Sequence, residues 1–155
     1  MESCCTVKPA KVSAATPCPE CHRVGRSVER ITLKSLLRSE SLMWLADAPY
    51  RFCATATCGV VYFAPESVFR REDVVVRVFQ KEPEGARTVC YCFAITEADL
   101  RREIVERETS TAADRITALV KANRCACEVR NPQGTCCLGN LTAAVKALTE
   151  APATA

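Results

Sequence analysis

The chain has 155 residues, enough for one ordinary domain or two small ones, and twelve of them are cysteine against a single histidine. Its formal charge of +3, from 21 basic and 18 acidic residues, is too small to imply nucleic acid or an acidic membrane surface as a partner. No apolar run reaches the roughly 20 residues of a membrane span, and the start, Met1-Glu2-Ser3-Cys4-Cys5-Thr6-Val7-Lys8-Pro9, lacks the apolar stretch of a secretory leader. A cytoplasmic protein with no membrane partner is expected, and in a reducing compartment clustered cysteines are metal ligands more often than disulfides.

Residues 1–15 are rich in Ser, Thr, Ala, Lys and Pro and read as a disordered arm. It carries Cys4 and Cys5, adjacent soft donors of the kind that bind Cu(I). Order is expected from Cys18-Pro19-Glu20-Cys21, whose two-residue spacer lets one tight turn present both sulfurs to a tetrahedral zinc. Its complement is Cys53-Ala54-Thr55-Ala56-Thr57-Cys58, a second knuckle with a looser, four-residue spacer. Cys18, Cys21, Cys53 and Cys58 fit a closed structural site, with His22 as the alternative donor beside Cys21. A thioredoxin-like redox pair would need a strand-turn-helix setting that is missing here.

Between the knuckles, Ser27–Leu33 alternates as a strand would, and Leu36, Leu37, Leu42, Met43, Trp44 and Leu45 follow broken helical spacing. These residues, Trp44 included, are expected to form a small core beneath the zinc. Val74 to Phe79 reads as a further strand. Residues 16–80 are thus expected to be a zinc-stapled β-rich domain, one small enough for the metal to be needed in folding. Residues 81–87, charged and containing Pro and Gly, read as a linker.

From 88 to 150 the composition changes, and after Phe93 there are no aromatic residues. Thr96 with Asp99 reads as an N-cap leading into a helix through Leu100, Ile104 and Val105. A second helix follows Ser110 along Ala112, Ile116, Leu119 and Val120, and a third carries Leu141, Ala144, Val145 and Leu148 on one face. Residues 151–155 are a tail. The fold class expected is α+β, a zinc-stapled β-rich part followed by a small helical part.

The helical part holds the second cysteine set. Cys90 and Cys92, one residue apart in an extended segment, would bring two sulfurs to one iron. The Asn131-Pro132-Gln133-Gly134 turn would return Cys127 towards Cys136 and Cys137. By position, Cys90, Cys92, Cys127 and Cys137 read as the four thiolates of a [2Fe-2S] cluster, with Cys125 and Cys136 as spare thiols able to hold Cu(I). Such a cluster transfers one electron at a time, which is what conversion of Cu(II) to Cu(I) requires.

These motifs together carry a resemblance. Cys18-Pro19-Glu20-Cys21, Tyr50-Arg51-Phe52-Cys53, Cys58-Gly59-Val60-Val61-Tyr62-Phe63, Val89-Cys90-Tyr91-Cys92, and Asn131-Pro132 through Cys136-Cys137 resemble the amino-terminal domain of CopZ-type copper chaperones. There a zinc-binding subdomain precedes a [2Fe-2S] subdomain of the bacterioferritin-associated ferredoxin kind. The resemblance implies zinc at Cys18, Cys21, Cys53 and Cys58 and the cluster at Cys90, Cys92, Cys127 and Cys137. It also implies a role in reducing Cu(II) to Cu(I) for delivery to a copper-transporting ATPase. The family's delivery module, with its Met-x-Cys-x-x-Cys loop, does not occur within these 155 residues, whose methionines are Met1 and Met43. Copper transfer would then use a separate copper chaperone, or Cys4 and Cys5 as a minimal substitute, and a separate electron donor. The alternatives are a ferredoxin-like redox or sensing partner in iron or other metal homeostasis, against which the wide Cys127–Cys137 spacing argues, and a zinc-ribbon nucleic-acid module, which lacks a basic stripe. One histidine and closed thiolate sites give no footing for hydrolysis.

Overall fold

The computed structural model describes residues 16–151, so Cys4 and Cys5 lie outside the described residues. Four short strands form an antiparallel sheet in chain order: β1 (Arg26–Val28), β2 (Tyr50–Phe52), β3 (Val60–Ala64) and β4 (Ser67–Arg70). All five residues of β3 are buried, because it is covered on both faces. A register shift between Val60 and Tyr62 breaks its alternation. Val60 and Phe63 therefore pack together among the first cysteines, whereas Val61, Tyr62 and Ala64 enter the main apolar core with Leu33, Leu36 and Phe69.

Between β1 and β2 run α1 (Arg30–Leu36) and the single turn α2 (Ser39–Leu42). The expected strand at Ser27–Leu33 is thus a strand only as far as Val28. Thr32, Leu33 and Leu36 are buried while Ile31 is exposed, a helical stripe that a short β-branched run had disguised as alternation. Trp44 does not belong to the core: it is 78% exposed and Met43 83%, both just beyond α2, where the chain turns away from the sheet. Nor is Val74–Phe79 a strand. Val74 makes one isolated bridge to Leu37, and the segment ends in a 3-10 turn at Phe79–Lys81.

The second half opens with a two-stranded hairpin, β5 (Thr88–Cys90) and β6 (Ile95–Thr96). It continues through α3 (Glu97–Arg107), α4 (Ala112–Lys121), the single turn α5 (Cys127–Arg130) and α6 (Leu138–Glu150). Thr96 caps α3 as expected: its Oγ1 accepts from the Asp99 amide at 3.2 Å, and the Asp99 carboxylate accepts from the Thr96 amide at 3.0 Å. Val89, Leu100, Ala112, Ile116, Leu141 and Ala144 form its core around Cys90, Cys127 and Cys137. Val105, expected on the packed face of α3, is 77% exposed.

The loop from Cys127 to Cys137 docks on the sheet half. Helix α5 lies against α1, Thr32 Oγ1 donates to the Glu128 carbonyl at 2.6 Å, and the buried Tyr62 hydroxyl donates to the Pro132 carbonyl at 2.6 Å. Gly134 has φ +71°, and a Cβ there would meet Val28 Cγ2 at 2.9 Å, so the turn needs glycine both for conformation and for close approach. Replacing Tyr62 by phenylalanine strands the buried Pro132 carbonyl. That is expected to cost about 1–3 kcal/mol, measured as a lower urea midpoint at unchanged slope.

Candidate metal centres

The first cysteine set converges from two knuckles. In the amino-terminal one, the Cys18 amide donates to the Arg23 carbonyl at 2.8 Å and the His22 amide returns to the Cys18 carbonyl at 2.9 Å. This closes the tight turn that the two-residue spacer allows. In the second, the Cys53 amide pairs with the Val61 carbonyl at the end of β2, and the Cys58 amide with the Thr55 carbonyl at 3.2 Å. Two cations distant in sequence add donors to the carbonyls of this longer knuckle. Lys81 Nζ donates to the carbonyls of Thr55 (2.8 Å) and Cys58 (3.0 Å), and Arg71 to that of Ala56 (2.9 Å). An ion pair between Glu20 and Arg70 fastens the first knuckle to β4.

The sulfurs of Cys18, Cys21, Cys53 and Cys58 all lie within 4.8 Å of one another. Cys18 and Cys58 stand 3.8 Å apart, and Cys21 and Cys53 3.6 Å. A tetrahedral zinc with bonds of about 2.3 Å has ligand edges of about 3.8 Å, so this donor set fits zinc without rearrangement. His22 is exposed at φ 59° and is not part of the group.

The thiols by themselves are electrostatically frustrated. Burial pushes Cys58 up to about 12 and raises Cys18, while the hydrogen bond shared with Thr55 Oγ1 draws Cys21 down to about 6. Cys18 and Cys58 resist losing their protons chiefly because they are buried, and repulsion between neighbouring thiolates adds to this. A bound dication offsets that repulsion. Lys81, only 4% exposed, adds a further positive charge beneath the second knuckle.

The second set is arranged differently. Cys90 is the last residue of β5, and Tyr91–Ala94 form a tight turn with Ala94 at φ 54°. Cys92 therefore lies within the turn rather than on the strand. The close pairs run across the loops: Cys92 Sγ lies 3.6 Å from Cys127 Sγ, and Cys90 shares a hydrogen bond with Cys137. Among the described residues, no three sulfurs of this set come mutually within 4.8 Å. Two close pairs held apart fit a binuclear centre with one pair on each iron, and do not fit a single tetrahedral ion.

That hydrogen bond draws Cys90 down to about 6 and raises its partner Cys137; burial pushes Cys127 up to about 12. The Ala126 amide donates to Cys92 Sγ at 3.2 Å. Cys137 is the N-cap of α6, where the helix's free amides favour thiolate charge. Of the spare thiols, Cys125 is half-buried against the second core and Cys136 is exposed.

Sequence reasoning passed over three residues that hold these sites together. Lys81 lay in the segment read as a linker, Tyr62 looked like any core aromatic, and Gln133 looked like a turn residue. Gln133 is buried, donating to the Cys136 carbonyl at 3.1 Å and accepting from Asn140 Nδ2 at 3.0 Å and from Gln80 Nε2 at 2.6 Å. Tyr62 and Lys81 had no local signal, since each acts on a partner far away in sequence, and Gln133 joins its own turn to the distant Gln80.

A zinc binding domain of the CopZ type matches residues 15–75. The copper chaperone CopZ of Archaeoglobus fulgidus is 37% identical over 120 residues, which cover 77% of this chain and 57% of that protein. The chain thus spans little more than half the length of that relative. The X-ray structure of the Archaeoglobus fulgidus CopZ N-terminal domain superposes with a TM-score of 0.70 at 32% identity, over 82% of this chain and 95% of that one. With a solved relative so nearly covered at that identity, the chain belongs to the family of CopZ amino-terminal domains and has their zinc-binding domain and mixed α+β fold.

Proposed function

We propose that this protein acts in copper handling as a one-electron carrier, holding structural zinc at Cys18, Cys21, Cys53 and Cys58 and a [2Fe-2S] cluster at Cys90, Cys92, Cys127 and Cys137. The observation that supports the redox half of this reading is the 3.6 Å approach of Cys92 to Cys127 against a core that also buries Cys90 and Cys137. Bound there, the cluster supplies one electron at a time. The chain's own groups do the rest: Ala126 N–H and the amides at the start of α6 favour thiolate charge, and the apolar packing of Val89, Leu100 and Leu141 excludes water from the buried cysteines.

The copper half is supported by the family and by the Archaeoglobus relative, a copper chaperone. Copper is cargo in this reading. Cu(II) gains the electron that the reduced protein loses, and the Cu(I) produced passes to a copper-transporting ATPase or a separate copper chaperone. The test is anaerobic addition of Cu(II) to pre-reduced protein. One Cu(I), trapped by a chromogenic chelator, should appear per electron lost, and a protein that is oxidised without yielding Cu(I), or is inert to Cu(II), contradicts the proposal.

Cys125 and Cys136 are proposed as the thiols that retain the Cu(I) formed, with Cys4 and Cys5 as a second pair. The double replacement of Cys125 and Cys136 by serine should leave the cluster spectrum intact and remove most of the Cu(I) retained against a competing chelator. Unchanged retention would exclude them.

A further inference from the structure

Residues 79–81 form one 3-10 turn, and each of them is committed to a different part of the molecule. The Phe79 amide donates to the Tyr91 hydroxyl at 2.9 Å, and that hydroxyl donates in turn to the Arg77 carbonyl. Tyr91 is the residue between Cys90 and Cys92. The Phe79 ring packs against the core of the second half, with the Arg87 guanidinium 4.2 Å above its centre. Gln80 Nε2 donates to Gln133 Oε1, and Gln133 holds the Cys136 carbonyl next to Cys137. Lys81 reaches the other way, to the carbonyls of Thr55 and Cys58 under the second zinc knuckle.

Three consecutive residues thus grip both halves of the second cysteine set and one half of the first. A 3-10 turn has little internal freedom, so displacement of Lys81 must be felt at Phe79 and Gln80. Lys81 is also held by the knuckle rather than by its neighbours. When Cys53 and Cys58 are not drawn together by a metal, the carbonyls that fix Lys81 lose their common position.

We propose that Phe79–Lys81 is a positioning strap between the two metal centres, by which zinc at the site of Cys18, Cys21, Cys53 and Cys58 fixes the cluster ligands and slows loss of the cluster. The proposal rests on reading the two cysteine sets as metal centres. By reciprocity, whatever factor zinc adds to the cluster's equilibrium affinity the cluster adds to that of zinc. Lys81 and Gln80 are positioning residues, since neither touches a sulfur.

The test uses the full chain with zinc bound and the cluster reconstituted. Decay of the cluster in excess iron chelator is followed by visible absorbance and visible circular dichroism, with and without prior zinc removal. In the unaltered protein, zinc removal should shorten the cluster's lifetime about tenfold, the middle of the usual range for coupled sites. Lys81→Met keeps the stem and removes the donor, and Gln80→Ala cuts the strap at a partly exposed position should the first variant fail to fold. Each should start from a shortened lifetime and show little further change when zinc is removed. General destabilisation would lower the melting temperature and leave the ratio of the two lifetimes unchanged. A wild-type lifetime indifferent to zinc, or a full zinc effect surviving in Gln80→Ala, overturns the strap while leaving both metal assignments standing. A reconstituted chain that gains no cluster overturns the assignment of the second set and the strap with it.

Discussion

Replacing Cys58 by serine is expected to release zinc and to lower the melting temperature by about 6–12 °C. Cys58 is buried beside Cys18 at 3.8 Å, and its carbonyl accepts from Lys81. Structural zinc contributes about 10–16 kcal/mol to small modules at neutral pH, and the metal's binding energy there is folding energy. If one ligand in four carries a proportionate share, its loss removes about 3 kcal/mol, a large part of a total stability of about 5–15 kcal/mol. At about 2–4 °C per kcal/mol for a chain of this size, that gives the stated shift. The sheet half is where the loss falls, because Val60 and Phe63 pack directly among the first cysteines. Calorimetry with zinc analysis checks it. A variant that melts where the wild type does and still holds one zinc would contradict the assignment of zinc to Cys18, Cys21, Cys53 and Cys58.

Replacing Cys127 by alanine is expected to abolish the cluster, whereas replacing Cys125 or Cys136 by alanine is not. Cys127 is buried and opposes Cys92 at 3.6 Å, so its removal leaves one iron with a single thiolate. Cys136 is exposed and belongs to neither close pair. Iron and sulfide analysis after anaerobic reconstitution checks this. The Cys127 variant should emerge from a desalting column colourless, and the other two should keep the wild-type spectrum. Retention of the cluster by the Cys127 variant, or its loss from the Cys136 variant, would mean that the ligands were assigned to the wrong members of the Cys125–Cys137 run.

Both cysteine sets and the class of fold were legible in the sequence because their signals are local. Cys18-Pro19-Glu20-Cys21 closes its own turn, Thr96 and Asp99 cap α3 between themselves, and the Asn131 side chain builds its own turn, accepting from the Gln133 amide at 3.2 Å and donating to the Thr135 carbonyl at 2.9 Å. Helices α4 and α6 carry apolar residues at helical spacing over 10 and 13 residues, long enough for the period to be unambiguous.

What escaped was non-local. The seven residues of α1 give too short a window to tell a helical stripe from alternation. The Val74–Phe79 run looked like a strand on propensity, yet among the described residues it pairs only through the Val74 bridge, with Val74 and Val78 in the first core and Phe79 against the second. Trp44 was placed inside by a broken helical spacing, yet α2 is a single turn and Trp44 lies beyond it, exposed. The tight turn that holds Cys92, at Tyr91–Ala94, contains no glycine or proline to announce it. Lys81 was invisible for the opposite reason: a lysine in a charged segment ordinarily faces water, and only the carbonyls of a looser knuckle draw this one inside.

The measurement that bears most directly on the whole account is the metal and sulfide content of the anaerobically prepared chain, taken with the EPR spectrum after reduction. The account predicts about one zinc, two irons and two sulfides per chain, with the signal of a reduced [2Fe-2S] centre. A colourless protein holding two zinc ions after attempted cluster reconstitution, and silent in EPR, would make the second set another structural site and contradict the one-electron function.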